Sequence, residues 1–330
     1  MSFTQIKGQQ RAVRILQKEI ATSSFPGAYL FIGPAGVGKT FTALNFAKAL
    51  NCRRGGRDSC DKCSSCLKID HLNHPDVRVI KPEGDSLKID QVRILKRSTA
   101  YKLYEGKKRV WIIEEAHKFT LEAANSALKI MEEPPPDTVF ILISETKREI
   151  LPTILSRCEI VRFFPLSPEK IEEIIGNYLP PNSPKVPLIA NLSRGSIKKA
   201  LLLIKEENVL KERENIIDKL SKNIPIDEIF DLVASWKNFN EEQLEEILNM
   251  ILFWFRDLLL LKEDGDAELI NIDKIKKLKE EEKKYPYFTI QDAINTIETT
   301  RSYLKSNVKP KLALENMWLK LKYSGRSDNN

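Results

Sequence analysis

Gly33-Pro34-Ala35-Gly36-Val37-Gly38-Lys39-Thr40 is the stretch that decides the fold. It matches G-x-x-x-x-G-K-[ST], the phosphate-binding loop. The apolar run Ala28 to Ile32 stands before it and reads as a buried strand; Phe41 to Leu50 follows and reads as a helix. Strand, loop and helix in that order are what the motif requires. Its glycines let backbone N–H groups close around phosphate oxygens, at a helix N-terminus that carries partial positive charge. Lys39 is then expected at the β/γ-phosphates of ATP, and the Thr40 hydroxyl on Mg²⁺. A loop that holds nucleotide for structure alone needs the same residues, so the motif by itself leaves turnover open.

Further strands are expected at Val77–Ile80, Arg109–Ile113, Thr138–Ile143 and Glu159–Phe163, with helices at 6–24, from Ile89, and from Leu121 to Met131. Strands alternating with helices predict a parallel α/β sheet. Glu114 and Glu115 end the Arg109–Ile113 run. Acids there, downstream of a phosphate loop, read as the element that holds the Mg²⁺ shell (Glu114) and polarises the attacking water (Glu115). Ser144 and Thr146, at the tip of the next strand, are candidates to sense the γ-phosphate. Past Pro165-Leu166-Ser167-Pro168 the strand signals vanish. The expected organisation is a P-loop α/β domain over 1–165, a small helical lid over 166–215, an all-α C-terminal domain over 216–323 and a disordered tail over 324–330. Leu244, Ile247, Leu248, Ile251, Phe255 and Leu258 give the long C-terminal helix a wide apolar face. Trp254 and Phe253 lie off that stripe, which fits burial on more than one side or a partner interface.

Four of the five cysteines fall within fifteen residues: Cys52, Cys60, Cys63 and Cys66. The spacing C-x7-C-x2-C-x2-C predicts a structural Zn²⁺ site, since four soft thiolates suit a tetrahedral ion and leave no position open for catalysis. Cys158 reads as a packed thiol. The chain carries a net charge of +7, and seven Lys/Arg face two acids between Asp90 and Arg109. That stretch is either a solvated helix face or a DNA-phosphate contact through Arg93, Lys96 and Arg97; Tyr101 and Tyr104 are its only stacking aromatics. No apolar run is long enough to span a bilayer and no secretory leader is evident, so a cytoplasmic protein is expected.

Together these motifs resemble the AAA+ clamp-loader subunits of the bacterial DNA polymerase III holoenzyme. The residues that carry the likeness are Ile6-Lys7-Gly8-Gln9, the phosphate loop, the cysteines just after its helix, Glu132-Glu133-Pro134-Pro135, Thr153-Ile154-Leu155-Ser156-Arg157-Cys158, Gly195 to Leu201, and Asn307 to Glu315. The resemblance covers nearly the whole chain. It implies an AAA+ fold with lid and collar domains, and a hetero-pentameric ring with gamma/tau and delta subunits at the replication fork. That ring acts on a sliding clamp and primer–template DNA. The short lead before Gly8-Gln9 favours the stator type of subunit over the gamma-like motor type. In the stator, Arg157 would be an arginine finger acting in trans, and Lys198 would stand in the sensor-2 position where motor subunits carry Arg. Glu114 in place of the usual Asp, together with Lys198, implies ATP binding with weak or absent turnover; nothing implies polymerase chemistry in this chain. A gamma-like motor and a stand-alone zinc-containing DNA-binding ATPase are the alternatives.

Overall fold

The run before the phosphate loop forms β1 (Ala28–Ile32), and the first unit is built around it. The computed structural model describes residues 2–99, 102–222, 224–263, 269–306 and 308–323. β2 (Val77–Ile80), β3 (Arg109–Ile113), β4 (Thr138–Ser144) and β5 (Glu159–Arg162) join β1 in one sheet of order β2-β3-β4-β1-β5. Every pairing is parallel. The central strands β1, β3 and β4 are continuous apolar runs because helices cover both faces. Edge strand β5 instead alternates, with Glu159 and Arg162 exposed. The register pairs Ile32 with Ser144 and Ile113 with Leu142, so the carboxyl ends of β1, β3 and β4 lie side by side. Ligands of open parallel sheets bind at that edge.

Among the described residues, seven α-helices lie wholly in this unit: α1 (Gln10–Thr22), α2 (Lys39–Asn51), α3 (Ser64–Asp70), α4 (Ile89–Thr99), α5 (Leu121–Glu132), α6 (Pro152–Leu155) and α7 (Pro168–Ile175). Val92 and Leu95 of α4 and Ala123, Ala124 and Ala127 of α5 pack with Trp111 and Phe140 of the sheet. The helix expected over 6–24 begins only at Gln10. Gly8 sits at φ +72°, and a Cβ there would come within 2.9 Å of Leu166 Cγ, so the backbone turns where a helix would continue. Thr120 caps α5 by accepting from the Ala123 N–H at 3.2 Å.

The chain divides into two compact units, Met1–Asn177 with Arg194–Lys199, and Tyr178–Ser193 with Ala200–Asn330. The second is all helical among its described residues: α8 (Lys185–Leu192), the later part of α9 (Ile197–Lys205), α10 (Glu207–Ser221), α11 (Ile226–Ser235), α12 (Glu241–Lys262), α13 (Ile275–Glu282), α14 (Tyr287–Lys305) and α15 (Pro310–Tyr323). A capping box starts α12, with Asn240 and Gln243 each accepting the other's backbone N–H. Its apolar face meets α10, α13 and α14, in a core that contains its own Trp254 and Phe255 and also Trp318 and Met317 of α15. Trp254 is fully buried, so burial on more than one side holds for that residue. Leu312 of α15 is exposed. Asp257 is buried and accepts from the Ile270 and Asn271 N–H groups and from Asn271 Nδ2. Burial pushes its carboxyl above the ordinary range. Arg213 forks to Asn271 Oδ1 and Asp273, tying α10 into the same network. Of the turn expected at Glu263 to Asp266, the residues from Asp264 on lie outside the described residues, as do the tail 324–330, Tyr101 and Asn307.

Candidate nucleotide site, cysteine cluster and exposed arginine

The phosphate loop runs from the end of β1 into α2, whose cap residue Gly38 has φ +95°. A Cβ at Gly38 would meet nothing within 4 Å, so the loop leaves open space over the first turn of α2. Gly36 is tighter: at φ +74°, a Cβ there would lie 2.2 Å from Ser196 Oγ and 2.7 Å from Lys198 Cβ. The Ile197 N–H donates to Gly36 O at 2.8 Å, so the Gly195–Lys198 turn is bonded directly to the loop. Lys198 thus lies beside the phosphate loop, with its side chain exposed. Lys39 is buried; its ammonium donates to Gly33 O and, at 2.6 Å, to Pro34 O. Burial pulls its pKa below the ordinary lysine value, with Glu145 opposing.

Thr40 Oγ1 donates to Glu114 Oε1 at 2.7 Å, joining the two residues expected around Mg²⁺. Lys81 Nζ lies 3.3 Å from the other Glu114 oxygen. Glu115 takes a left-handed backbone, φ 50° and ψ 48°, at the start of a short turn. Its carboxylate pairs with Lys118 at 2.7 Å and is half exposed. A non-glycine residue in that region is uncommon and clusters at functional sites. Ser144 is buried at the end of β4, and its hydroxyl donates to Thr146 O at 3.0 Å. Thr146 Oγ1 accepts from the Arg148 N–H at 3.2 Å. Gly33 donates to Ser144 O at 3.3 Å, so the loop and this strand tip are joined through backbone.

Gln9 is a site residue whose role depends on contacts that spacing does not reveal. Its Nε2 donates to Val37 O at 3.2 Å and to Phe164 O at 2.7 Å, and its Oε1 accepts from the Phe164 N–H. It is buried and ties the phosphate loop to the segment after β5. The only hint in the sequence is the Gly8-Gln9 pair itself.

The four clustered cysteines converge. Their sulfurs all lie within 4.8 Å of one another, with Cys52 and Cys66 buried and Cys60 and Cys63 partly so. A tetrahedral Zn²⁺ with Zn–S near 2.3 Å has sulfurs about 3.8 Å apart, so the set fits that ion. Cys63 N–H donates to Cys60 Sγ at 3.4 Å. The backbone N–H groups of Lys62 and Cys63 draw the Cys60 thiol down to about 6, while burial pushes Cys66 up to about 12. Lys48 of α2, almost fully buried, pairs with Asp61 at 2.5 Å and with Asp70 of α3 at 2.9 Å. Asp61 lies between two of the cysteines, so the cluster is bolted to the helix that the phosphate loop starts. Cys158 is partly exposed, packs against the sheet core, and is pushed up to about 12 by burial.

Arg157 lies just past α6 and away from the chain's own phosphate loop in its bonding: its partners are Thr153 O at 2.9 Å, Ser156 Oγ at 3.2 Å and Glu132 Oε1 at 2.5 Å. It is exposed. Arg93, Lys96 and Arg97 are exposed on α4, with Arg93 paired to Asp90 at 2.9 Å, while Val92 and Leu95 of the same helix are buried. No helix among the described residues is long and apolar enough to cross a membrane.

A family model described as DNA polymerase III, delta subunit, matches residues 8–167, and one described as its C-terminal part matches 207–322. The chain is 31% identical to DNA polymerase III subunit delta' of Bacillus subtilis over 319 residues, covering 95% of this chain and 96% of that protein. It is 26% identical to subunit tau of the same organism over 340 residues, covering 95% of this chain and 60% of tau. Among solved structures, a DNA polymerase III gamma-subunit-related protein of Thermotoga maritima matches at 17% identity, 94% and 98% coverage and a TM-score of 0.49.

Proposed function

The chain belongs to the DNA polymerase III clamp-loader subunits, of which it matches delta' along almost its whole length, and from that premise we propose that it acts as the ring's stator. In this reading the chain assembles with gamma/tau and delta subunits into a five-membered ring that loads a sliding clamp on primer–template DNA at the replication fork. Its chemical contribution is Arg157, placed against a neighbour's ATP. The observation that carries this is the exposure of Arg157, whose bonding partners all lie outside the chain's own phosphate loop. A fixed guanidinium stabilises charge spread over the transferring phosphoryl, worth ~10³–10⁵ in rate.

The chain's own site is proposed to hold ATP with Mg²⁺ and to turn it over slowly or not at all. The backbone of Gly33, Pro34, Ala35, Gly36, Val37 and Gly38 would cradle phosphates, Lys39 would pair with them, and Thr40 with Glu114 would take the metal ion. Ser144, Thr146 and Lys198 would sense the γ-phosphate. When bound, Mg²⁺ neutralises charge on the phosphates and polarises the phosphoryl group. Glu115 would orient water, but it is engaged by Lys118. Lys198 offers a point charge where bidentate contact needs an arginine, and Glu114 carries one methylene more than the usual aspartate. Cys52, Cys60, Cys63 and Cys66 would hold one Zn²⁺ as a structural brace. The division into a nucleotide-binding domain (1–165), lid (166–215) and collar (216–323) belongs to the same proposal, as does DNA contact by Arg93, Lys96 and Arg97 within the ring.

Reconstitution tests the proposal. The chain mixed with clamp-loader gamma/tau and delta subunits is expected to co-elute as one complex and to raise clamp loading on primed DNA. A chain that forms homo-oligomers instead, with DNA-stimulated hydrolysis abolished by Lys39→Ala, would establish the gamma-like motor reading in its place.

A further inference from the structure

Arg157 is held by more than its own loop. Nη1 donates to Thr153 O at 2.9 Å, within α6, and to Ser156 Oγ at 3.2 Å, the residue after it. Nη2 meets Glu132 Oε1 at 2.5 Å, and Glu132 comes from a different element, the last residue of α5.

The position of Glu132 is fixed by the segment that follows it. Pro134 packs against Gly27 at the start of β1, so closely that a Cβ on Gly27 would lie 2.6 Å from Pro134 Cγ. The Thr138 N–H donates to Pro135 O at 3.1 Å. Asp137 takes φ 59° and pairs with Lys108 at 2.8 Å. The backbone that carries Glu132 is therefore anchored to the sheet, whereas Arg157 follows a one-turn helix.

A guanidinium has five N–H donors. The three contacts leave two donors without a partner among the described residues, which is the number a bidentate phosphate contact uses. The side chains of Arg157 and Glu132 are 35% and 48% exposed, so the pair stands where another molecule can reach it.

We propose that Glu132 is a positioning residue for Arg157: it fixes the guanidinium while leaving a two-donor edge free for a phosphate of the neighbouring subunit's nucleotide. This rests on the reading of Arg157 as the trans-acting arginine. An exposed ion pair contributes little to folding, so the effect falls on rate. Pre-orienting the arginine removes the cost of ordering a long side chain during phosphoryl transfer.

The test is a double-mutant cycle in the reconstituted complex, read by steady-state ATP hydrolysis. Glu132→Gln is expected to lower kcat about tenfold while leaving the KM for ATP, the elution position of the complex and the melting temperature unchanged. Glu132→Asp is expected to recover part of the loss. In the Arg157→Ala background, Glu132→Gln should have no further effect. Two outcomes overturn the proposal while the trans-arginine reading stands: Glu132→Gln matching wild type where Arg157→Ala is slow, or Glu132→Gln costing the same factor in both backgrounds. Should Arg157→Ala itself match wild type, the trans-arginine reading falls and the role of Glu132 falls with it.

Discussion

Glu19 lies on α1, where it accepts the Tyr29 hydroxyl and faces Glu159. Burial, with Glu159 adding to it, raises its pKa from 4.5 to about 7. The folded chain therefore holds that proton more tightly than the unfolded one. Its contribution to stability is complete below about pH 4.5 and is lost as pH rises through about 7. Glu19→Gln should flatten that part of the pH profile. Its denaturant midpoint is expected above wild type at pH 8, a gain in unfolding free energy on the order of 1 kcal/mol after allowance for solvent screening, and near wild type at pH 4.5. Equal midpoints at pH 8 would rule this out. At this scale the sequence was readable where chemistry is local. Lys39, Thr40 and Glu114 could be assigned because a linear motif and a strand end specify them. Gln9 could not, because its partners Val37 and Phe164 are brought to it only by folding.

Among the elements, the strands were the most legible. Apolar runs bounded by glycine, proline or acids located β1 to β4 within a residue, since parallel strands buried on both faces tolerate few polar positions. The helix α10 was expected only as part of a helical region and not as one element, because charged residues dominate its surface and its buried apolar residues are Ile216, Ile217 and Leu220, beside the buried Arg213. The cysteine cluster was legible from spacing alone, but its link to α2 was not. Lys48 reads as a surface lysine in an apolar helix, yet it is buried between Asp61 and Asp70. Removing one partner of a buried ion pair is costly, so Lys48→Ala should destabilise the chain by roughly 3 kcal/mol, seen as a lowered urea midpoint. Metal analysis of the purified chain should give about one zinc per molecule, released by chelator with loss of stability. Cys60→Ser with Cys63→Ser should abolish it, and a chain that is zinc-free as purified would remove the proposed brace.

For the whole molecule, a phosphate loop taken alone advertises an ATP-hydrolysing enzyme. The rest of the chain moves the emphasis. The matches to delta' and to the C-terminal family model assign the chain to an assembly. Glu115 is paired with Lys118, and Lys198 stands beside Gly36. Arg157 faces outward, held by Thr153, Ser156 and Glu132. That the sheet is parallel could be foreseen from strand–helix alternation, whereas its order and the boundary between units could not: β1 lies between β4 and β5, and Arg194–Lys199 returns to the first unit from within the second. Nothing in a local sequence window signals such a return. The most direct measurement is the ATPase rate of the reconstituted complex containing Arg157→Ala. The expected result is normal assembly with hydrolysis reduced by ~10³ or more at the neighbouring site; a complex that assembles and hydrolyses ATP at the wild-type rate would contradict it.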